Sequence, residues 1–181
     1  AYADIMGAVL AAAGLLPDAG GYKSLAPAER ARLLVSSLGN VGAVPREHLP
    51  PLAADTLDLF RLLHTAAIRF GQECLGGAIV SLTQCPADVL CVLWLWRWAQ
   101  GQARASGEPV ADHDIAVVPL FEKIDDLAHA DETLGAMLDV PAYRDHLAGR
   151  GNRQIVMVGY SDSTKDGGYL AACFGLQSAQ E

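Results

Sequence analysis

Apolar residues change their spacing near position 76. Before it they recur at steps of three and four. Residues 2–16 read as a helix, stopped by Pro17-Asp18 and a Gly20-Gly21 turn. "APAERARLLVSSL" (26–38) reads as a second helix with Pro27 in its first turn, and "LGNVGAVPREHLPP" as a loop. From Ala53 to Cys74, the positions Leu57, Phe60, Leu63, Ala67, Phe70 and Cys74 mark one face of a long amphipathic helix. After 76, short β-branched runs alternate with helical patterns. "GGAIVSLT" (76–83), "IAVVPLFE" (115–122) and "RQIVMVGY" (153–160) read as strands. Helices are predicted over "CPADVLCVLWLWRWAQ" (85–100), apolar nearly all round, and over "DDLAHADETLGAMLD" (125–139) and "PAYRDHLAG" (141–149). A last helix is predicted to follow Lys165, which places that lysine at a helix start.

Continuous apolar strands alternating with helices indicate a helix-rich α/β fold with a parallel sheet. The expected organisation is a helical segment over 1–76, then three strand–helix units over 77–181. Three units alone fit an open sheet or part of a barrel equally well. Hydrophobic residues make up 51% of the 181 positions and glycine adds 18 more, an apolar share above that of ordinary soluble domains. Either the domain is heavily buried or it packs against further protein. The chain opens on Ala1 and stops at Glu181 inside a helical pattern, and so reads as a piece of a longer polypeptide.

The formal net charge is -8, and no Lys/Arg cluster interleaves with aromatics, which argues against a nucleic-acid surface. No apolar stretch reaches the roughly 20 residues of a membrane span, and no signal-peptide pattern opens the chain. Cys74, Cys85, Cys91 and Cys173 lie among apolar residues without CxxC spacing. They are expected to be buried free thiols of a reducing, cytoplasmic compartment rather than zinc ligands. The three tryptophans of "WLWRW" are expected in a core or interface. The five histidines, His48, His64, His113, His129 and His146, are expected at surface or packing positions.

Parallel α/β folds place their sites at the carboxyl ends of strands. Two of the three predicted strands end in a carboxylate, Glu122 after "AVVPLF" and Asp162 after "VMVGYS". Two carboxylates on one rim suit Mg²⁺, which takes one or two protein carboxylates and fills its other positions with water and substrate oxygens. Lys165 would add a positive charge beside the metal, making a site for phosphate or carboxylate. A purely structural reading stays open: Asp162 or Ser163 could cap the next helix, and Glu122 could be solvated. Two other motifs are excluded. A P-loop needs glycine directly before its lysine, where Thr164 stands, and a Ser-x-x-Lys nucleophile needs serine at Asp162.

"VMVGYSDSTKDGGYLAA" closely resembles the lysine-containing active-site motif of the phosphoenolpyruvate carboxylase family in its bacterial form. "VVPLFEKIDDLAHA" resembles that family's Pro-Leu-Phe-Glu-x-x-x-Asp-Leu segment. "AIVSLTQCPADVLCVLWLW" is a looser match to its Ile-Ser-Met strand and helix, departing at Gln84-Cys85-Pro86. The resemblance is sharp from Ile115 onward. It implies a partial TIM-type (β/α)8 barrel. It implies Glu122 and Asp162 as ligands of Mg²⁺ (or Mn²⁺) and Lys165 as the active-site lysine. Leu120 and Met157 would lie near the apolar pocket that shelters the enolate and CO₂.

The implied reaction transfers the phosphoryl group of phosphoenolpyruvate to bicarbonate, giving carboxyphosphate and the pyruvate enolate. CO₂ released from carboxyphosphate is then attacked by the enolate to form oxaloacetate, a lyase-class carbon dioxide fixation that feeds the tricarboxylic acid cycle. The partners implied are these substrates, the remainder of the same polypeptide, and further copies in a homo-oligomer. The family's Thr-Ala-His-Pro-Thr and Phe-His-Gly-Arg-Gly-Gly segments are not in the chain, and "AGRGNRQ" around Arg150 does not stand in for the latter, since it precedes the third strand. The fragment alone is therefore expected to be inactive. Two competing readings are a non-catalytic remnant that only packs or assembles, and another Mg²⁺-dependent, enolate-handling barrel enzyme.

Overall fold

The computed structural model describes residues 2–39, 42–112 and 114–181, so His113 lies outside the described residues. The chain forms two compact units, Ala1–Gly76 with Leu90–Ile115, and Gly77–Val89 with Ala116–Glu181. Among the described residues no helix is long and apolar enough to cross a membrane.

The first unit is helical: α1 (Tyr2–Ala12), α2 (Gly21–Ser24), α3 (Pro27–Ser37), α4 (Pro51–Phe70), and most of α5 (Pro86–Ala105), whose first turn belongs to the second unit. α1 stops four residues earlier than its pattern suggests. Gly14 adopts φ +73°, and the amides of Gly14 and Leu15 bond back to Ala11 and Leu10, the glycine-dependent helix stop of the Schellman type. α4 buries Leu57, Phe60 and Ala67 as the spacing predicts. Its face ends early, because Gly71 at φ +85° breaks the helix and leaves Phe70 and Cys74 exposed.

The three tryptophans of α5 are fully buried. Trp94 Nε1 donates to Ser37 Oγ at 2.9 Å, whereas the Trp96 and Trp98 N–H groups have no acceptor among the described residues. The Arg61 guanidinium lies 4.8 Å over the Trp98 ring. Arg97 binds Asp114 at 2.9 Å, and Gln72 Nε2 donates to the Asp114 carbonyl at 2.7 Å.

The second unit holds a three-stranded parallel sheet in the order β1 (Ala78–Val80), β2 (Val117–Phe121), β3 (Met157–Val158). Around it lie α6 (Ile124–Ala128), α7 (Ala130–Leu138), α8 (Pro141–Ala148), α9 (Tyr160–Gly167) and α10 (Tyr169–Gln180). β1 pairs Val80 with Pro119, and β3 pairs Met157 with Leu120. Phe121, Leu127, Ala130 and Leu176 form a buried cluster with Val158 packed against it, so α6, α7 and α10 cover that face of the sheet. Strand alternation sets Leu120, Glu122 and Met157 on the opposite face.

In the sheet unit three predicted elements differ most. The 125–139 helix is two, because His129 at φ −115° and ψ 19° interrupts it. β3 is shorter than 153–160. Ahead of it the side-chain amide of Gln154 reaches the Val117 carbonyl at 3.0 Å.

The third difference is the helix after β3, which begins at Tyr160, not after Lys165. Its hydroxyls bond back onto its own carbonyls, Ser163 Oγ to Gly159 and Tyr160, and Thr164 Oγ1 to Tyr160. Gly168, at φ +83°, then separates α9 from α10. The cysteines also depart from expectation: Cys91 is buried, Cys85 partly so, and Cys74 and Cys173 are exposed, all four as free thiols. Of the described histidines, His64 and His146 are buried and His48 and His129 exposed.

Candidate active site at the strand ends

The carboxyl ends of β2 and β3 abut closely. The Gly159 amide donates to the Phe121 carbonyl at 2.8 Å, and a Cβ at Gly159 would stand 2.7 Å from the Cβ of Glu122. Only glycine permits that approach, for reasons of space and not of φ. α9 starts at this contact. An open depression of about 470 Å³ lies beside it, lined by Leu82, Glu122, Lys123, Asp162, Lys165 and Asp166. The predicted trio of Glu122, Asp162 and Lys165 is therefore brought together.

Glu122 follows β2 directly and is half-buried. Its Oε1 accepts from the Leu82 backbone N–H at 3.1 Å. Leu82 has φ +55°, a left-handed conformation that costs a leucine on the order of 1–3 kcal/mol. Its neighbours hold it there: the Thr83 amide donates to the Leu120 carbonyl at 3.2 Å, and Thr83 Oγ1 donates to the Val80 carbonyl at 2.7 Å. The strained turn after β1 thus aims an N–H at the carboxylate that ends β2.

Asp162 lies in the first turn of α9, where the helix dipole favours a carboxylate, and Lys165 in its last turn, where it favours a cation. The expected lysine at a helix start is thereby corrected. Neither Asp162 nor Ser163 caps the helix, since Gly159 occupies that position without a side-chain bond. Lys165 Nζ donates to Asp162 Oδ1 at 3.0 Å, and the side chains are 72% and 55% exposed. A pair that exposed is worth at most about 1 kcal/mol, so it holds the lysine only loosely. Among the described residues, the second oxygens of Glu122 and Asp162 take no hydrogen bond.

Leu120 and Met157 are register partners, one side-chain step down the strands from Glu122 and Gly159. They do not line the depression itself. Leu120 is buried and Met157 is 43% exposed. No three His, Cys, Asp or Glu side chains converge on a metal-sized point among the described residues, and the carboxylates with an oxygen outside the hydrogen bonds that match the predicted ligands are the pair Glu122 and Asp162. Such a hard-oxygen pair, next to an ammonium, could hold a hard divalent cation together with an anionic ligand.

The family profile of phosphoenolpyruvate carboxylase matches residues 1–181. The chain belongs to the phosphoenolpyruvate carboxylase family. It is 40% identical over 182 residues to the phosphoenolpyruvate carboxylase of Mycobacterium leprae (strain TN), an overlap of 98% of this chain and 19% of that protein. It is 47% identical over 122 residues to that of Xanthomonas oryzae pv. oryzae, covering 67% of this chain and 13% of the relative. The enzyme of Corynebacterium diphtheriae is 37% identical over 183 residues, 95% of this chain and 19% of the relative. The chain thus spans about a fifth of the length of these relatives. Sequence reasoning missed Leu82 and Asp166. Asp166 stands next to Lys165 in the motif, but no sequence signal marks a leucine whose backbone N–H orients a carboxylate.

Proposed function

We propose that this chain supplies the metal-and-lysine part of the active site of a full-length phosphoenolpyruvate carboxylase, which forms oxaloacetate and phosphate from phosphoenolpyruvate and bicarbonate. The observation that carries the reading is the meeting of Glu122, Asp162 and Lys165, the residues matching the family motif, in one depression at the ends of β2 and β3. Glu122 and Asp162 would hold Mg²⁺ or Mn²⁺, a fit supported by all-oxygen donors that each keep an oxygen outside the hydrogen bonds. When bound, the cation supplies Lewis-acid stabilisation of developing oxygen charge.

Lys165 contributes an ammonium for the anionic substrate, and its loose hold on Asp162 lets it turn toward a phosphate or carboxylate oxygen. The enol ester P–O bond breaks as the phosphoryl group passes to a bicarbonate oxygen, giving carboxyphosphate and the enolate. Carboxyphosphate then separates into CO₂ and phosphate, and the enolate methylene carbon bonds to CO₂. Leu120 and Met157, side by side below Glu122 but outside the depression, would border the apolar pocket that keeps water from the enolate once the rest of the polypeptide closes around it. We place the three strands as part of a TIM-type (β/α)8 barrel whose other strands come from the rest of the polypeptide. Support comes from the parallel order and from edge strands β1 and β3, which lack an outer neighbour among the described residues.

The test is oxaloacetate formation by the full-length protein. Glu122→Gln and Asp162→Asn are expected to abolish metal-dependent carboxylation while leaving the fold intact by circular dichroism, and the 181-residue chain alone is expected to form no oxaloacetate. Wild-type turnover at wild-type metal concentration in both folded variants would remove the site.

A further inference from the structure

Asp166 is one helical turn beyond Asp162 on α9 and also borders the depression. Its Oδ2 does not turn to Lys165 or Lys123. It accepts the backbone N–H of Ile124 at 3.0 Å. Ile124 is the first residue of α6, where an amide has no acceptor inside its own helix. It is also two residues after Glu122. The segment Glu122–Ile124 is therefore held at both ends: at Glu122 by the Leu82 N–H, and at Ile124 by a carboxylate from α9. Gly167 completes the seat, because a Cβ there would overlap the Ile124 side chain. Since Asp166 and Asp162 share one short helix, whatever fixes Asp166 on Ile124 also fixes Asp162 relative to Glu122.

We infer that Asp166 is a positioning residue: by capping Ile124 it sets the separation of the two carboxylates that hold the divalent cation. The inference rests on the reading of Glu122 and Asp162 as ligands given above. Asp166 acts through its acceptor oxygen, not its charge. Asparagine, which keeps that oxygen, should serve nearly as well, and alanine should not. Ile124→Pro removes the same bond from its other end. Proline is tolerated at a first helical position, and Lys123 before it is already extended at φ −95° and ψ 160°.

The experiment is Mn²⁺ binding to the full-length protein, followed by electron paramagnetic resonance of the free ion, with Glu122→Gln and Asp162→Asn alongside. Asp166→Ala should weaken binding about tenfold, the low end for losing a group that orients a metal ligand. Asp166→Asn should bind within about threefold of wild type. Ile124→Pro should match Asp166→Ala, and the double variant should be no worse than either single one. Equal losses in Asp166→Asn and Asp166→Ala would assign the effect to charge and overturn the proposal. So would wild-type affinity in Asp166→Ala. If Asp166→Ala fails to fold, wild-type affinity in Ile124→Pro overturns the proposal in its place. If Glu122→Gln and Asp162→Asn bind Mn²⁺ normally, the ligand reading itself fails, an outcome separate from any result at Asp166.

Discussion

In the helical unit several polar groups with distant partners are turned inward. Trp94 meets Ser37 in the core, the buried His64 ring takes the Ala111 N–H on Nε2 at 3.1 Å, and Arg97 and Asp114 are largely shielded. In the sheet unit, Asp162 and Lys165 at the strand ends remain mostly in solvent although they pair with each other. Burial makes the first set expensive to disturb, because a polar group stripped of its partner in the interior loses hydration as well. Exposure makes the second set easy to rearrange. These shielded groups of the helical unit are thus fixed by packing, and the exposed pair at the strand ends of the sheet unit is left free to move.

The largest expected effect tests the first half of that contrast. Trp94→Ala empties a fully buried site and removes the donor to Ser37 Oγ, whose own hydrogen stays on the Leu33 carbonyl, and should cost about 3–5 kcal/mol in urea unfolding. A loss under about 1 kcal/mol would show that the tryptophan core is not where stability lies. Lys165→Met tests the second half. In the full-length protein it should lower carboxylation by at least roughly 10²-fold. Its unfolding free energy should stay within about 0.5 kcal/mol of wild type. Near-normal turnover in the folded variant would leave the carboxylate pair as the site's chemistry.

Between these lies Gly159→Ala, where a methyl group is driven against Glu122. It should cost about 1–3 kcal/mol and, with Glu122 as the proposed ligand, weaken Mn²⁺ binding as well, because the same contact places that carboxylate. Unchanged metal affinity would separate the two.

The smallest effect has opposite signs in the two units. Burial lowers the pKa of His64 from its ordinary 6.5, with Glu108 opposing. The unfolded chain then binds more protons, so the stability His64 contributes is present above about 6.5 and is lost on acidification through that range. Exposed His129 is shifted upward, first by its bond to the Asp125 carbonyl and then by the Asp125 carboxylate. Its contribution is complete below about 6.5 and disappears as pH rises through the raised value. Hydrogen exchange from about pH 7.5 to 5.5 should therefore show protection falling around α4 and rising around α6. A common sign in both places would contradict the assignment.

Much of this was legible in the sequence where one periodicity dominates. β2 and the α5 tryptophans lie in long apolar runs, and every residue of β2 and each tryptophan is buried. The Glu122–Asp162–Lys165 grouping was readable because strand ends collect on one rim. What failed was local. The pattern predicts the helix only after Lys165, with Asp162 or Ser163 able to cap it, yet the Ser163 and Thr164 hydroxyls are satisfied on helix carbonyls and α9 starts five residues before Lys165. Gly14 and Gly71 end helices through left-handed φ values that an apolar pattern does not encode. The Leu82 contribution is a backbone amide in a conformation its side chain disfavours, and such a residue is invisible in composition.

The sheet order has a consequence for synthesis. β1 and β2 are parallel neighbours about 40 residues apart, and so are β2 and β3. Each strand must wait for its partner to be made. At about 5–20 residues per second, β1 stands with an unpaired edge for roughly 2–8 s, and β2 waits a comparable time for β3. Ile79, in β1, stays 52% exposed even after pairing. The site comes last, since α9 follows β3, and Asp162 and Lys165 are placed against Glu122 only after a pairing that begins far upstream. Nascent chains stalled between β1 and β2, or between β2 and β3, therefore carry a strand edge open to capture by a chaperone or by one another.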